Sequence, residues 1–398
     1  MGNKTIIDEH GIKRCKCFKR CGGCQLDMSY EKQLEWKQDK AQRMLSRFSR
    51  VEPIIACEDP YNYRCKVQNV YAFDRSKRII SGIYQSSSGK MTAVSDCFLE
   101  DRRAQRIVGE FKKLMHDFKL MPYDAQTGRG LVRHTLIRTS VTTGQIMLVI
   151  VTASPVFPAK KNFVGAMLRA CPEITTIVQN ISNDRLALKL GARSNVLYGK
   201  GYIEDELCDL RFRISPESFY QVCPQQTEKL YRKVLEYLSP DPEERIIDAY
   251  CGTGTIGMAA AADAGEVIGV ELNPRAVKDA AFNAKRNGIG NISFVCADAG
   301  DHMRRLAAQG ERVGAVIMDP PRAGASKQFI EALGTLRPRK LIYVSCKIET
   351  LERDLRALTK LGYKAQCIQP VDMFPHTTGI ENVVSLRLTD QNSKVQKG

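Results

Sequence analysis

The second half of this chain predicts an α/β fold, a doubly wound and mostly parallel seven-stranded sheet. An α+β domain and a short cysteine-rich segment precede it. Two observations carry that expectation. From about residue 210 the pattern becomes a strict alternation of short apolar strands with helical stretches such as Pro274–Asn287 and Thr350–Leu361. The strands end near Asp248, Glu271, Asp298, Asp319, Ser345 and Gln369, and a last one covers Val383–Leu388. In open α/β sheets ligands gather beyond the carboxyl ends of the strands, where four of the first five here place an acidic residue.

Taken in order, residues 1–27 form a short segment rich in Cys, Lys and Arg. Residues 28–58 hold a helix over Ser29–Phe48, expected to pack on the C-terminal domain. Residues 59–205 read as a central α+β domain. Val67–Phe73 and Ile79–Tyr84 alternate as a hairpin, and Val132–Ser140 and Gln145–Val151 flank a Thr142-Thr143-Gly144 turn. Phe163–Ala170 reads as a helix and Ile174–Ile181 as a strand. Residues 206–398 are the α/β domain, with a polar tail from Thr389 expected to fray.

The chain has 398 residues and a formal charge of +16. Residues 1–200 hold 34 Lys and Arg against 18 Asp and Glu, and residues 201–398 hold 26 of each. The whole surplus lies in the first half, which points to a polyanion-binding part joined to a chemical part. No run approaches the roughly 20 apolar residues of a membrane span, and the start lacks the apolar stretch of a secretory signal. A cytoplasmic, monomeric protein with no membrane partner is expected. Fourteen cysteines are then unlike a disulfide framework. Cys57, Cys65, Cys171, Cys208, Cys223, Cys251, Cys296 and Cys367 are scattered and read as small buried hydrophobes.

Asp248-Ala249-Tyr250-Cys251-Gly252-Thr253-Gly254-Thr255 follows the first strand of the C-terminal domain and opens a helix. Gly252 and Gly254 allow a tight turn and close approach of a ligand to the backbone. The third glycine of the dinucleotide fingerprint and the Walker Gly-Lys-Ser/Thr are absent, which argues against NAD and ATP. Glu271 can accept both hydroxyls of a ribose, and Asp298 can meet an adenine amino group. Loop, Glu and Asp on three successive strand ends resemble the S-adenosylmethionine site of class I (Rossmann-like) methyltransferases.

Asp319-Pro320-Pro321-Arg322 ends the fourth strand, Cys346 closes the fifth, and Met373-Phe374-Pro375-His376 leads to Glu381 before the last. From Cys15 to Leu388 these motifs resemble the uracil-C5 RNA methyltransferase family, in particular its iron–sulfur-containing 23S rRNA type. The resemblance implies a 5-methyluridine-forming enzyme. Cys346 would add to C6 of the uridine, C5 would take the methyl of S-adenosylmethionine, and Glu381 would remove the C5 proton. Asp319 would orient the uracil edge or the nucleophile and also lie beside the cofactor. Gln221 and Tyr250 match cofactor-contacting residues, and His376 orders its loop. The family reads Ser-Cys-Asn-Pro where this chain has Ser345-Cys346-Lys347-Ile348. Lys347 is expected to favour the thiolate as a nearby cation.

Cys15, Cys21 and Cys24 stand as C-x5-C-x2-C, and spacing alone leaves zinc or an iron–sulfur cluster open. The resemblance supplies Cys97 as a fourth ligand and implies a structural [4Fe–4S] cluster, with Cys17 a bystander or substitute. Longer members carry a small β-barrel before the cysteines. Only 14 residues precede Cys15 here, so RNA contact is expected from the central domain and the cysteine segment. Arg14, Lys16, Lys19, Arg20, Arg102, Arg103 and Arg106 are the candidates for phosphate. Ribosomal RNA is the first expectation for substrate and transfer RNA the second, with no DNA. Two other readings exist: a 5-methylcytosine enzyme, disfavoured because Asp319–Arg322 carries no Cys, and a catalytically silent RNA-binding factor.

Overall fold

The change of period near residue 210 separates two seven-stranded sheets. The computed structural model describes residues 6–7, 13–18, 20–85, 91–184 and 188–389. Lys19, the side chain of Arg14 and the tail from residue 390 lie outside the described residues. A short pair, β1 (Ile6–Ile7) and β2 (Lys13–Arg14), precedes helix α1 (Tyr30–Leu45). The central sheet follows with β3 (Lys66–Phe73), β4 (Ile79–Tyr84), β5 (Met91–Ala93), β6 (Val132–Thr139), β7 (Ile146–Thr152), β8 (Thr176–Ile181) and β9 (Arg193–Tyr198). Their order is β5-β4-β3-β6-β7-β8-β9. Helices α2 (Arg102–Asp117) and α3 (Lys160–Ala170) cover one face around Phe111, Phe163 and Met167.

Helix α2 was not anticipated, although its signals are present. Asp101 caps it by accepting from the Arg103 amide, and Ala104, Ile107, Val108, Phe111 and Met115 are buried at helical spacing. The arginines on its outer side drew attention as phosphate contacts instead. Arg103 is bound to Asp101 at 2.7 Å and to the Ser140 carbonyl at 3.2 Å, and Arg106 is paired with Glu173. Both make surface ion pairs within the fold. Of the eight scattered cysteines, Cys208 and Cys367 are only half-buried and Cys296 is exposed. Cys296 is exposed because it closes an edge strand.

A hairpin, β10 (Ile203–Leu207) with β11 (Leu210–Ile214), leads to α4 (Pro224–Leu238). The second sheet then alternates β12 (Arg245–Ala249), α5 (Thr255–Ala260), β13 (Glu266–Glu271), α6 (Pro274–Arg286), β14 (Ile292–Cys296), α7 (Ala299–Ala308) and β15 (Ala315–Met318). It continues with α8 (Lys327–Leu336), β16 (Lys340–Ser345), α9 (Ile348–Lys360), β17 (Tyr363–Val371) and β18 (Glu381–Leu388). The order is β14-β13-β12-β15-β16-β18-β17, and only β18 runs against its neighbours. Ile246 and Ile247 point into different cores, as expected for a strand buried on both faces. The chain reverses its winding between β12 and β15, which opens a crevice there.

Residues 50–55 run beside β17, with Glu52 N–H donating to the Ile368 carbonyl (2.8 Å) and Ile55 N–H to that of Pro370 (3.0 Å). They cover that sheet edge, which would otherwise offer unpaired backbone. Helix α1 lies over the same side, where Lys37 is buried against Asp372 at 2.5 Å.

Candidate active site

The turn after β12 is forced by conformation. Tyr250, Gly252 and Gly254 have φ of +64°, +57° and +77°, and a Cβ on Gly254 would stand 2.7 Å from the Phe294 ring. Only glycine fits at 254 without strain. Gly257 N–H then donates to Asp248 Oδ2 at 2.8 Å, tying α5 to the strand end. Glu271 is held by two amides, Gly252 N–H on Oε2 (3.1 Å) and Asn273 N–H on Oε1 (2.7 Å). Asp298 lies just past β14 and caps α7 through Oδ1, which accepts from Asp301 N–H at 3.1 Å.

These residues line a cavity of about 610 Å³. Gln221, Tyr250, Gly252, Glu271, Asp298, Asp319, Cys346 and Glu381 all face it, whereas Gly254 supports it from behind. The Tyr250 ring leans on Phe329, with centroids 5.4 Å apart.

The reactive end is built by strand pairing. Glu381 is the first residue of β18, not part of the preceding loop, because it pairs with Val371 of β17, while the ladder with β16 ends at Ser345 opposite Asn382. That register carries Cys346 and Glu381 to neighbouring strand ends. Asp319–Ser326 is braced from α9. Asp354 Oδ2 accepts from Ala325 N–H (2.9 Å) and from Tyr343 O–H (2.6 Å), and Arg353 donates to the Ala323 carbonyl at 3.0 Å.

Burial dominates the electrostatics of this end. It pushes the Glu381 carboxyl up to about 8, aided by Asp319 and opposed by Arg322. It also raises Asp319 and Asp248 to about 7 each. The Cys346 thiol is pushed up to about 11 by burial, then by Glu381 and Asp319, with Arg322 the opposing cation. The expectation for Lys347 is thus corrected. That residue sits at the N-cap of α9, where its charge acts on Glu349, and Arg322 is the cation that acts on the thiol. Three carboxyls titrating near neutrality around one thiol make a site suited to moving protons.

Sequence reasoning passed over several lining residues. Asp248 was noted only as a strand end, yet it shares the acid cluster. Phe219 and Leu272 are 62% and 67% exposed at the rim, and Phe374 lies by the thiol end of the lining. Phe219 could have been found within Ser218–Gln221. Leu272 carries no local signal.

A second cavity of about 320 Å³ is lined by Cys15, Cys21, Cys24 and Cys97, with Arg64, Lys66 and Val222. Amides already point at two of the sulfurs, Cys17 N–H to Cys15 Sγ (3.3 Å) and Gly23 N–H to Cys21 Sγ (3.4 Å). Such donors stabilise thiolates, so the donor set fits a thiolate-bound group. Among the described residues, no three His, Cys, Asp or Glu are grouped to hold a metal ion. Cys17 is turned away, donating to the Ala93 carbonyl at 3.5 Å.

Comparisons with known proteins agree with this architecture. A family profile described as tRNA (Uracil-5-)-methyltransferase matches residues 172–389. An RNA methyltransferase of Halalkalibacterium halodurans is 39% identical over 380 residues, covering 94% of this chain and 83% of that protein. One from Oceanobacillus iheyensis is 38% identical over 383 residues, with 94% and 83% covered. Among solved structures, the Pyrococcus abyssi tRNA (uracil-54, C5)-methyltransferase in complex with S-adenosyl-L-homocysteine superposes with a TM-score of 0.74 at 26% identity. That match covers 90% of this chain and 84% of that one. With a profile spanning more than half its residues and relatives of this identity and coverage, the chain belongs to the tRNA (uracil-5-)-methyltransferase family of RNA-modifying enzymes.

Proposed function

We propose that this chain methylates C5 of a uridine in RNA through a covalent adduct with Cys346, with Glu381 as the base. The observation that carries the reading is the meeting, in one cavity, of the Glu271–Asp298 side with Cys346, Asp319 and Glu381. S-adenosylmethionine, bound along Gln221, Tyr250, Gly252, Glu271 and Asp298, would supply an electrophilic methyl group. The S-adenosyl-L-homocysteine in the Pyrococcus abyssi enzyme supports that assignment.

The chain's own groups then do the following. Uracil C5 is a poor nucleophile until a group adds at C6. The Cys346 thiol, raised to about 11, holds little thiolate at neutral pH, so its proton leaves as attack occurs. Asp319, near 7, is the acceptor, and its protonation also removes one of the charges that raises the thiol. Arg322 stabilises the thiolate and the negative charge that develops on the uracil. After the methyl is in place, Glu381 accepts the C5 proton, and a carboxyl near 8 is a stronger base than an ordinary glutamate. Flipping the base costs a few kcal/mol, so an unpaired loop or bulge uridine is the favoured target.

Cys15, Cys21, Cys24 and Cys97 would hold a [4Fe–4S] cluster, which spreads its thiolates more widely than zinc does. Because the cysteine set matches the ribosomal RNA type, 23S rRNA is the first substrate. Similarity to the tRNA (uracil-54, C5) enzyme makes transfer RNA the second. Action as a monomer in the cytoplasm completes the reading; no described helix is long and apolar enough to cross a membrane.

RNA carrying 5-fluorouracil at the target blocks proton removal and is expected to trap a denaturant-stable adduct with the wild type and none with Cys346→Ala. An adduct that persists in Cys346→Ala sinks the mechanism. Ribosomal and transfer RNA substrates run in parallel decide the class.

A further inference from the structure

Glu381 follows a stretch, residues 372–380, that contains no helix or strand. Pairing with Val371 of β17 fixes its own backbone, and the loop that leads to it is tied to elements outside the catalytic sheet at His376. This residue is left-handed at φ +67°. Its carbonyl accepts from the amides of Gln25 (3.0 Å) and Leu26 (3.2 Å), the two residues after Cys24. Its own N–H donates to Gln33 Oε1 at 2.7 Å, and Gln33 Nε2 stands 3.1 Å from its Nδ1. The ring packs edge-on against Phe98, the residue after Cys97, with centroids 4.9 Å apart. Gln33 and His376 are both buried. Residues directly following two of the four cavity cysteines therefore touch the residue five positions before Glu381.

Cys346 is held differently. It leaves β16 on a turn where Lys347 N–H contacts Ser345 Oγ at 3.3 Å, and the neighbouring Asp319–Ser326 loop hangs on Asp354. None of those anchors involves the cysteine segment.

We propose that His376 and Gln33 are positioning residues for Glu381, through which the cysteine centre governs release of the methylated product without governing the attack of Cys346. This rests on the reading of Glu381 as the base. In the step concerned, the C5–H electron pair forms the C5=C6 double bond and the proton passes to the Glu381 carboxylate. The C6–S bond breaks, and its pair returns to Cys346 as thiolate, which takes a proton from solvent. Displacing the base slows this step alone. General bases contribute about 10²–10⁴-fold, and an ångström of misplacement costs about 10²-fold.

The test uses the full chain and RNA with ordinary uridine, comparing wild type with Gln33→Met, which keeps the side-chain length and loses the amide. Single-turnover adduct formation is expected at the wild-type rate, with unchanged kcat/KM for both substrates while kcat and KM fall together. Release is expected to slow by about ten- to a hundredfold, so that methylated adduct accumulates. His376→Asn, which tolerates the left-handed backbone and keeps an acceptor for Gln33, is expected to retain most of the wild-type release rate. Cys24→Ser is expected to accumulate adduct as Gln33→Met does. Equal slowing of formation and release, or normal release in Gln33→Met or Cys24→Ser, overturns the proposal. If Gln33→Met does not fold, Gln33→Glu, which keeps the acceptor for the His376 N–H and replaces the amide donor by a carboxyl, carries the same measurement. A wild type that forms no 5-fluorouracil adduct would end the Cys346 mechanism itself, and normal release in the variants would end only the clamp.

Discussion

Replacing Glu381 by Gln should stabilise the ligand-free protein at high pH and leave it unchanged at low pH. The carboxyl is buried at 3% exposure and raised to about 8 from an ordinary 4.5. The folded chain therefore holds this proton where the unfolded chain has already lost it. Below about pH 4.5 both states are protonated and the site costs nothing. As pH rises through the window from about 4.5 to about 8 the folded state pays to ionise, and above it the full cost is present. At about 1.4 kcal/mol per pKa unit, the shift corresponds to an upper bound of about 5 kcal/mol, and water entering the cavity would reduce it to about 2–3. Gln is nearly isosteric and never ionises. For a domain of this size, a change of 1 kcal/mol moves Tm by about 2–4 °C. Thermal melts at pH 4 and pH 9 should show nearly equal Tm values at the lower pH and a variant higher by about 4–12 °C at the upper one. Equal values at pH 9, or a wild type that gains on the variant as pH rises, would refute the burial argument for Glu381. Taking the difference between variant and wild type cancels the other acids and thiols that titrate over the same range.

Arg322→Gln removes the cation that opposes the rise of the Cys346 thiol. Alkylation of the Cys346 peptide at pH 8, followed by mass spectrometry, should slow by about three- to tenfold, while Lys347→Ala should leave it unchanged; the reverse order would restore Lys347 as the neighbouring charge. Anaerobically purified protein should contain about four iron atoms and as much labile sulfide per chain, both lost in a Cys97→Ser variant; stoichiometric zinc would replace the cluster reading.

The acid-tipped strands and the Gly252–Gly254 turn were legible because each is a local requirement. A tight left-handed turn favours glycine, and a strand end is marked by where its apolar run stops. Glu381 was recognised in type and misjudged in place, since the start of β18 is set by its ladder with β17 and not by local propensity. Helix α2 was missed although its apolar spacing is regular, because its charged outer side read as an RNA surface. Arg103 and Arg106 pair with Asp101 and Glu173, partners 2 and 67 residues away in sequence.

The sequence by itself determined the order of elements, the residue types at the strand ends and the cysteine spacing, since these depend on periodicity and on short-range chemistry. The tertiary structure decided which charges meet. It put Arg322 instead of Lys347 against the thiol, gathered Asp248, Asp319 and Glu381 into one low-dielectric cluster, and joined Cys24 and Cys97 to the loop before Glu381 through His376. Those outcomes depend on burial and on contacts between residues hundreds of positions apart, and neither is written in any local pattern.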